Sequence, residues 1–299
     1  MNIIERAHCH NEPLSFKVAE NVMITRQFTP TYCDKQENSF SLYTYVRKVD
    51  QDKDAKAHAS VVIVHGNSEH SDNFLEVAIH HAMNNLKVHL IDLKGQGLSS
   101  GERGGHYKIQ DHHLQIATML TFADPSIPCF IQAHSMGCLD TVNFLINNPQ
   151  LKIAGVIAGS PFWGLSATHN IGVVRRLIVK LFASFLEELP INNAGSMHHL
   201  SHDKQYYVHE MAGAGKRHAG FSSGGIINSM FESCEDISVN AKLYSKPTLV
   251  FLAGKDFIVN NDASRLFLRK CGIPAKDKIV VEMPGCYHNI HKEKDFKFK

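Results

Sequence analysis

Cys129-Phe-Ile-Gln-Ala-His-Ser-Met-Gly137 is the stretch on which the reading of this chain turns. Residues 129–133 are of strand length and largely apolar, residues 136–148 follow a helical pattern, and Ser135 falls between the two. A serine at a tight strand-to-helix turn stands with its hydroxyl raised above the sheet edge. The turn presses together the residues two before and two after, and Ala133 and Gly137 are both small. The helix beginning behind Ser135 also directs its free N–H groups toward any negative charge that develops there. A small-x-Ser-x-Gly string arises by chance in roughly one in five chains of this length, so its weight comes from its place between strand and helix.

Outward from this turn, short apolar runs alternate with helical segments. Runs at 60–64, 88–92, 153–158, 248–252 and 278–282 have strand length, and most are apolar throughout, as strands covered on both faces are. Helical patterns occupy 71–85, 108–123, 136–148 and 260–271, while 40–46 alternates and suits an antiparallel edge strand. The expectation is an α/β fold with a mostly parallel central sheet and helices on both faces. Residues 161–245 are too long for an ordinary connection and carry helical content at 172–189 and about 203–212, then a Gly/Ser-rich stretch at 213–225. They are expected to form a helical cap inserted before the last two strands, with 1–160 and 246–299 as the core.

A serine hydroxyl needs a base to attack at neutral pH, and the base needs an orienting acid. On such a sheet the partners follow in the order Ser, acid, His, each just past a later strand. Asp256 lies just beyond 248–252 and His288 just beyond 278–282. Asp262 is the rival acid, set in the following helix and facing solvent, and His291 is the rival base, expected at the surface. The backbone N–H groups of Met136 and Asn67, the latter in the loop after 60–64, are the expected oxyanion donors.

These residues bear a specific likeness. His65-Gly-Asn-Ser-Glu-His-Ser71 resembles an H-G-x-x-E-H-S segment, and Asp92-Leu-Lys-Gly-Gln-Gly-Leu-Ser-Ser-Gly-Glu-Arg-Gly-Gly-His106 resembles D-x-R-G-(H/Q)-G-x-S-x-G-x-R-G-H. With Ala133-His-Ser-Met-Gly137, Ser160-Pro161, Leu200-Ser-His-Asp-Lys204 and Gly285-Cys-Tyr-His-Asn-Ile290, they make the chain similar to the lysophospholipase L2 and monoacylglycerol lipase family of α/β hydrolases. The resemblance runs over roughly residues 40–295. It implies the α/β-hydrolase fold and cleavage of a fatty-acyl ester of a lysophospholipid or monoacylglycerol, with neither metal nor organic cofactor. Lys94 in place of the usual Arg and Cys138 in place of a common Gly depart from the pattern. Another ester-transfer activity on the same fold (thioesterase, acyltransferase or small-ester esterase) and a non-catalytic binding role are the alternatives.

Composition limits the remaining choices. The 31 basic and 29 acidic residues give a net charge of +2, without the basic excess of an obligate nucleic-acid binder. Seven cysteines without a Cys-x-x-Cys point away from zinc ribbons and dense disulfides, and the first residues lack the apolar run of a signal peptide. A cytoplasmic protein is expected. The paired histidines 80–81, 112–113 and 198–199, with His202, are expected at the surface, because adjacent helical residues point about 100° apart and share a metal poorly. Helix 172–189 has apolar residues over about 200° of its circumference, wider than the ~100° stripe that packing on one core needs. Either the cap or a second copy covers the excess, or this helix dips into a membrane surface.

Overall fold

The computed structural model describes residues 13–19, 21–30, 40–49, 57–102, 108–164, 190–193, 200–202 and 221–293. Its strands are β1 (Leu14–Ala19), β2 (Val22–Pro30), β3 (Phe40–Lys48), β4 (Ala59–Val64), β5 (Leu86–Ile91), β6 (Cys129–His134), β7 (Gly155–Gly159), β8 (Pro190–Asn193), β9 (Phe221–Ser223), β10 (Thr248–Ala253) and β11 (Lys278–Met283). The helices are α1 (Leu75–Met83), α2 (Ile109–Phe122), α3 (Met136–Asn147), α4 (Gly224–Val239) and α5 (Asn261–Lys270). Nine strands form one sheet in the order β1-β2-β3-β5-β4-β6-β7-β10-β11, and β8 pairs with β9 separately. From β5 to β11 every pairing is parallel, whereas β1, β2, β3 and β5 pair antiparallel.

Strand alternation explains the layers. Along β4, Val61 and Ile63 join the core under α1, while Val62 and Val64 join the larger core beneath α2 and α3. A strand apolar at every position is therefore buried on both faces. Of the helices, α3 lies deepest, with residues 136–146 all buried. Against it packs α4, whose Ile226, Cys234 and Ile237 belong to the same core. Thus 224–239, within the interval expected as a cap, returns to the core. The interval also supplies β8 and β9, which its composition did not signal.

Two strand expectations need correction. β3 is antiparallel but is not at the edge, because the β1–β2 hairpin extends the sheet beyond it. β11 is not covered on both faces: it ends the sheet, and its Ile279 and Val280 are exposed. The expected helices 172–189 and 203–212, and most of the proposed cap, lie outside the described residues. Among the described residues no helix is long and apolar enough to cross a membrane.

One glycine fixes how closely the sheet and α3 meet. A Cβ on Gly137 would lie 2.5 Å from the carbonyl oxygens of both His65 and Val64. Backbone on both sides leaves no flexible neighbour to yield. Gly137→Ala is therefore expected to cost about 2 kcal/mol or more, lowering Tm by roughly 5 °C. Gly285→Ala, whose Cβ would meet nothing within 4 Å, is the control and should leave Tm nearly unchanged in the same thermal melt.

Candidate active site

The parallel strands end on one edge of the sheet, and that edge gathers the residues singled out from the sequence. Ser135 follows β6 directly, with φ of 50° and ψ of −120°. Its N–H donates to the Gly159 carbonyl at 3.0 Å, and its own carbonyl accepts from Cys138 and Phe162 at 3.0 and 3.2 Å. Its Oγ is 2.9 Å from His288 Nε2, and His288 Nδ1 is 2.8 Å from Asp256 Oδ2. Asp256 also accepts from the N–H groups of Ile258 and Val259 at 2.9 and 3.0 Å. Burial raises the Asp256 carboxyl, but the His288 ring and these N–H groups outweigh it and hold the group below its ordinary value. Next to a carboxylate, Nδ1 carries the proton, which leaves the Nε2 lone pair facing the Ser135 hydroxyl. Asp262 stands apart on α5 with its side chain 88% exposed, paired with Arg265.

The loop after β4 closes over the serine. A Cβ on Gly66 would approach Ser135 Cβ to 3.0 Å, so only glycine lets this loop lie so near. The Gly66 N–H is taken by Glu69 Oε2 at 2.7 Å. Asn67 follows it, with its side-chain amide donating to Ser222 Oγ at 2.9 Å. Met136 opens α3, and the first N–H groups of a helix have no intrahelical acceptor. Asp92 steadies the arrangement by accepting from the Ser71 and Leu98 N–H groups at 2.8 and 2.7 Å.

A second carboxylate–imidazole pair, which sequence reasoning assigned no role, lies behind the first. His134 Nδ1 is 2.7 Å from Glu69 Oε2, and its Nε2 is 3.1 Å from the His288 carbonyl. His291, expected at the surface, is buried against this pair, stacked on Phe74 and 3.6 Å from Glu69 Oε1. The spacing of His291 from the base gave no hint of this; a ring three residues on is turned inward by the short helix at Ile290–Lys292. Ligand atoms of Glu69, His134 and His291 lie within 4.8 Å of one another, the one metal-like grouping among the described residues. A His134 donating from both nitrogens keeps no lone pair for a cation, and the group is an ion pair in this form.

Other expectations change as well. His112 is fully buried and bonded to Asp140 at 2.8 Å, joining α2 to α3. His81 bonds Gln132 at 2.7 Å, whereas His202 is half-exposed and pairs with Glu293; His198 and His199 lie outside the described residues. Cys138 and Cys286 flank the site in sequence yet are buried, and burial pushes the Cys138 thiol well up and that of Cys286 to about 12. Neither is poised as a thiolate. Lys94, in place of the expected Arg, reaches Asp111 at 3.3 Å.

A mostly parallel sheet carrying a hydrogen-bonded Ser–His–Asp row at its C-terminal edge defines an α/β hydrolase. The chain belongs to the Hydrolase_4 family, described as serine aminopeptidase S33, which it matches over residues 55–295. It is 26% identical over 258 residues to an abhydrolase domain-containing protein of Dictyostelium discoideum, a match covering 86% of this chain but only 26% of that protein. It is 24% identical over 251 residues to a monoacylglycerol lipase of Mycolicibacterium smegmatis, covering 82% of this chain and 86% of the relative. The crystal structure of Paleococcus ferrophilus monoacylglycerol lipase superposes with a TM-score of 0.68 at 25% identity, covering 79% and 88% of the two chains.

Three buried histidines of the fold are held neutral by burial. His65 accepts from the Leu93 N–H at 2.9 Å and contacts the Gly66 carbonyl at 2.8 Å. Burial lowers it to about 4, and burial likewise lowers His89 to about 3 and His113 to about 4. Each is lowered on folding, so its contribution is present above the unfolded value near 6.5 and is lost as pH falls toward the folded one. At pH 5 each should cost on the order of 2 kcal/mol. Thermal melts at pH 7 and pH 5 should show a Tm drop of roughly 10 °C or more, and His89→Gln should reduce it.

Proposed function

We propose that this protein is a serine esterase that cleaves the fatty-acyl ester of a single-chain lipid, a monoacylglycerol or a lysophospholipid. The observation that carries the proposal is the row Ser135–His288–Asp256, with spacings of 2.9 and 2.8 Å. Kinship with enzymes named as monoacylglycerol lipases supports the choice of substrate.

In this reading His288 Nε2 takes the Ser135 proton as Oγ attacks the ester carbonyl. The N–H groups of Asn67 and Met136 receive the developing oxyanion, and Asp256 stabilises the imidazolium without taking its proton. Collapse of the tetrahedral intermediate breaks the bond to the leaving alcohol, which takes the proton from His288 and leaves an acyl group on Ser135. Water, deprotonated by the same imidazole, then releases the fatty acid and restores the serine. Every proton is shuttled by the imidazole, and no metal or organic cofactor enters the scheme.

Ser135→Ala should abolish labelling by a fluorophosphonate and lower kcat by at least ~10³-fold while the protein stays folded. Asp256→Asn should cost on the order of 10⁴-fold by favouring the wrong imidazole tautomer. Hydrolysis rates for monoacylglycerols, lysophospholipids, acyl thioesters and a peptide anilide separate the substrate classes. Faster turnover of thioester or anilide than of either lipid ester would overturn the proposed substrate.

Residues 161–245 are proposed as the cap, from which α4 turns back to the core. Within it, the apolar spacing of 172–189 includes Phe182 and Leu186 on the wide apolar side expected of a helix there. Burying one such side chain is worth roughly 1.5–3 kcal/mol, so even two such contacts would matter to a peripheral enzyme. Changing both to Ser should weaken binding to phospholipid vesicles and activity on aggregated lipid while sparing a short soluble ester. Equal loss on both substrates assigns the face to internal packing instead.

A further inference from the structure

His134 stands next to the nucleophile but faces away from it, between two groups that accept hydrogen bonds. Its Nδ1 meets the Glu69 carboxylate at 2.7 Å and its Nε2 meets the His288 carbonyl at 3.1 Å. A carbonyl oxygen cannot donate, and Glu69 Oε2 already accepts from the Gly66 N–H at 2.7 Å. Both ring nitrogens therefore carry protons, which makes His134 an imidazolium buried against a carboxylate. The same His288 carbonyl accepts from Ser160 Oγ at 2.7 Å. Ser160 is itself held at a φ of 44°, with its N–H on the Phe251 carbonyl at 2.9 Å. Two buried donors from the ends of β6 and β7 thus grip the main chain of the residue whose ring must face Ser135.

We propose that His134, tied to Glu69, is a positioning residue that pins the His288 main chain and so holds that imidazole in line with Ser135. The inference rests on the triad reading above. The ring centroids of His134 and His288 are 4.9 Å apart, so the two rings also pack against each other. Facing His134 are Glu69 from the loop after β4, His288 from the segment after β11, Asp256 from the segment after β10, and His291 from the short helix at 290–292. Of these, Glu69 makes the closest contact. Burial alone would deprotonate His134, but the charge and hydrogen bond of Glu69 hold it above its ordinary value. Burial alone would neutralise Glu69 in turn, and His134, His291 and the Gly66 N–H hold it well below.

The test uses the full chain and a short soluble 4-nitrophenyl ester, with folding followed by near-UV circular dichroism. His134→Ala should lower kcat about tenfold or more while KM stays within about twofold, because aim rather than binding is lost. His134→Gln, whose amide still reaches the carbonyl, should recover at least about threefold of that kcat. Ser160→Ala should weaken the grip alone, and with His134→Gln the loss should exceed the product of the two. If His134→Ala does not fold, the Gln variant and its combination with Ser160→Ala decide the matter. A kcat within about twofold of wild type, a KM that rises in step with the loss of kcat, or a Gln variant no better than a folded Ala variant would each overturn the inference. Ser135→Ala separates the two readings: an active Ser135→Ala protein defeats the triad, whereas an inert one beside wild-type His134 variants defeats only this proposal.

Discussion

A left-handed φ on a residue with a Cβ costs roughly 1–3 kcal/mol, and at Ser135 the fold surrounds that conformation with compensating contacts. The Ser135 N–H is bonded to the end of β7, its carbonyl accepts from α3 and from Phe162, and two glycines allow neighbouring backbone to close on it. Gly137 lets the first turn of α3 touch the end of β4. Gly66 lets the loop after β4 lie on the serine Cβ. Three neighbouring strands are thereby locked to one residue, and the remaining loops of the edge take their positions from those strand ends. The strain therefore persists because the structure over-determines it.

Around that turn the protein buries charge, which is stable only when each charge is matched. Glu69 and His134 form one pair, and Asp256 faces His288 in the other. Both carboxylates are held low by imidazole together with backbone N–H groups, so neither depends on solvent. Glu69 keeps one oxygen without a hydrogen-bond partner among the described residues, and both nitrogens of His291 are in the same condition. Unmet polar atoms inside a core cost about 1–3 kcal/mol apiece. This corner is one where folding stability has given way to the electrostatics of the site.

Much of this was legible because the relevant signals are local. The strand–Ser–helix arrangement at 129–148 and the alternation of apolar runs with helical patterns located six strands of the main sheet within a few residues. Asp256 and His288 were legible because each closely follows such a run, which is where a parallel sheet presents its loops. The β1–β2 hairpin was missed although β1 alternates, with Leu14, Phe16 and Val18 against Ser15 and Lys17; its run is short, and Arg26 breaks the apolar face of β2. The inward turn of His291 and the burial of His112 were missed for another reason. Periodicity says which face a residue occupies, but an imidazole can be buried wherever a carboxylate waits, and those partners lie far off in sequence. Glu69, His134 and Ser160 belong to quoted motifs, yet their common attachment to one region exists only in three dimensions.

The inserted segment is sewn to the strand of chain that carries His288. The Leu200 carbonyl accepts from the Asn289 N–H at 2.7 Å, Ser201 Oγ donates to the Lys292 carbonyl at 3.1 Å, and His202 pairs with Glu293. Glu293 in turn accepts from the Tyr287 N–H at 2.9 Å, immediately before the imidazole. The chain on either side of the His288 ring is thus tied to residues 200–202, so a displacement of that short stretch would reach the imidazole from both directions at once.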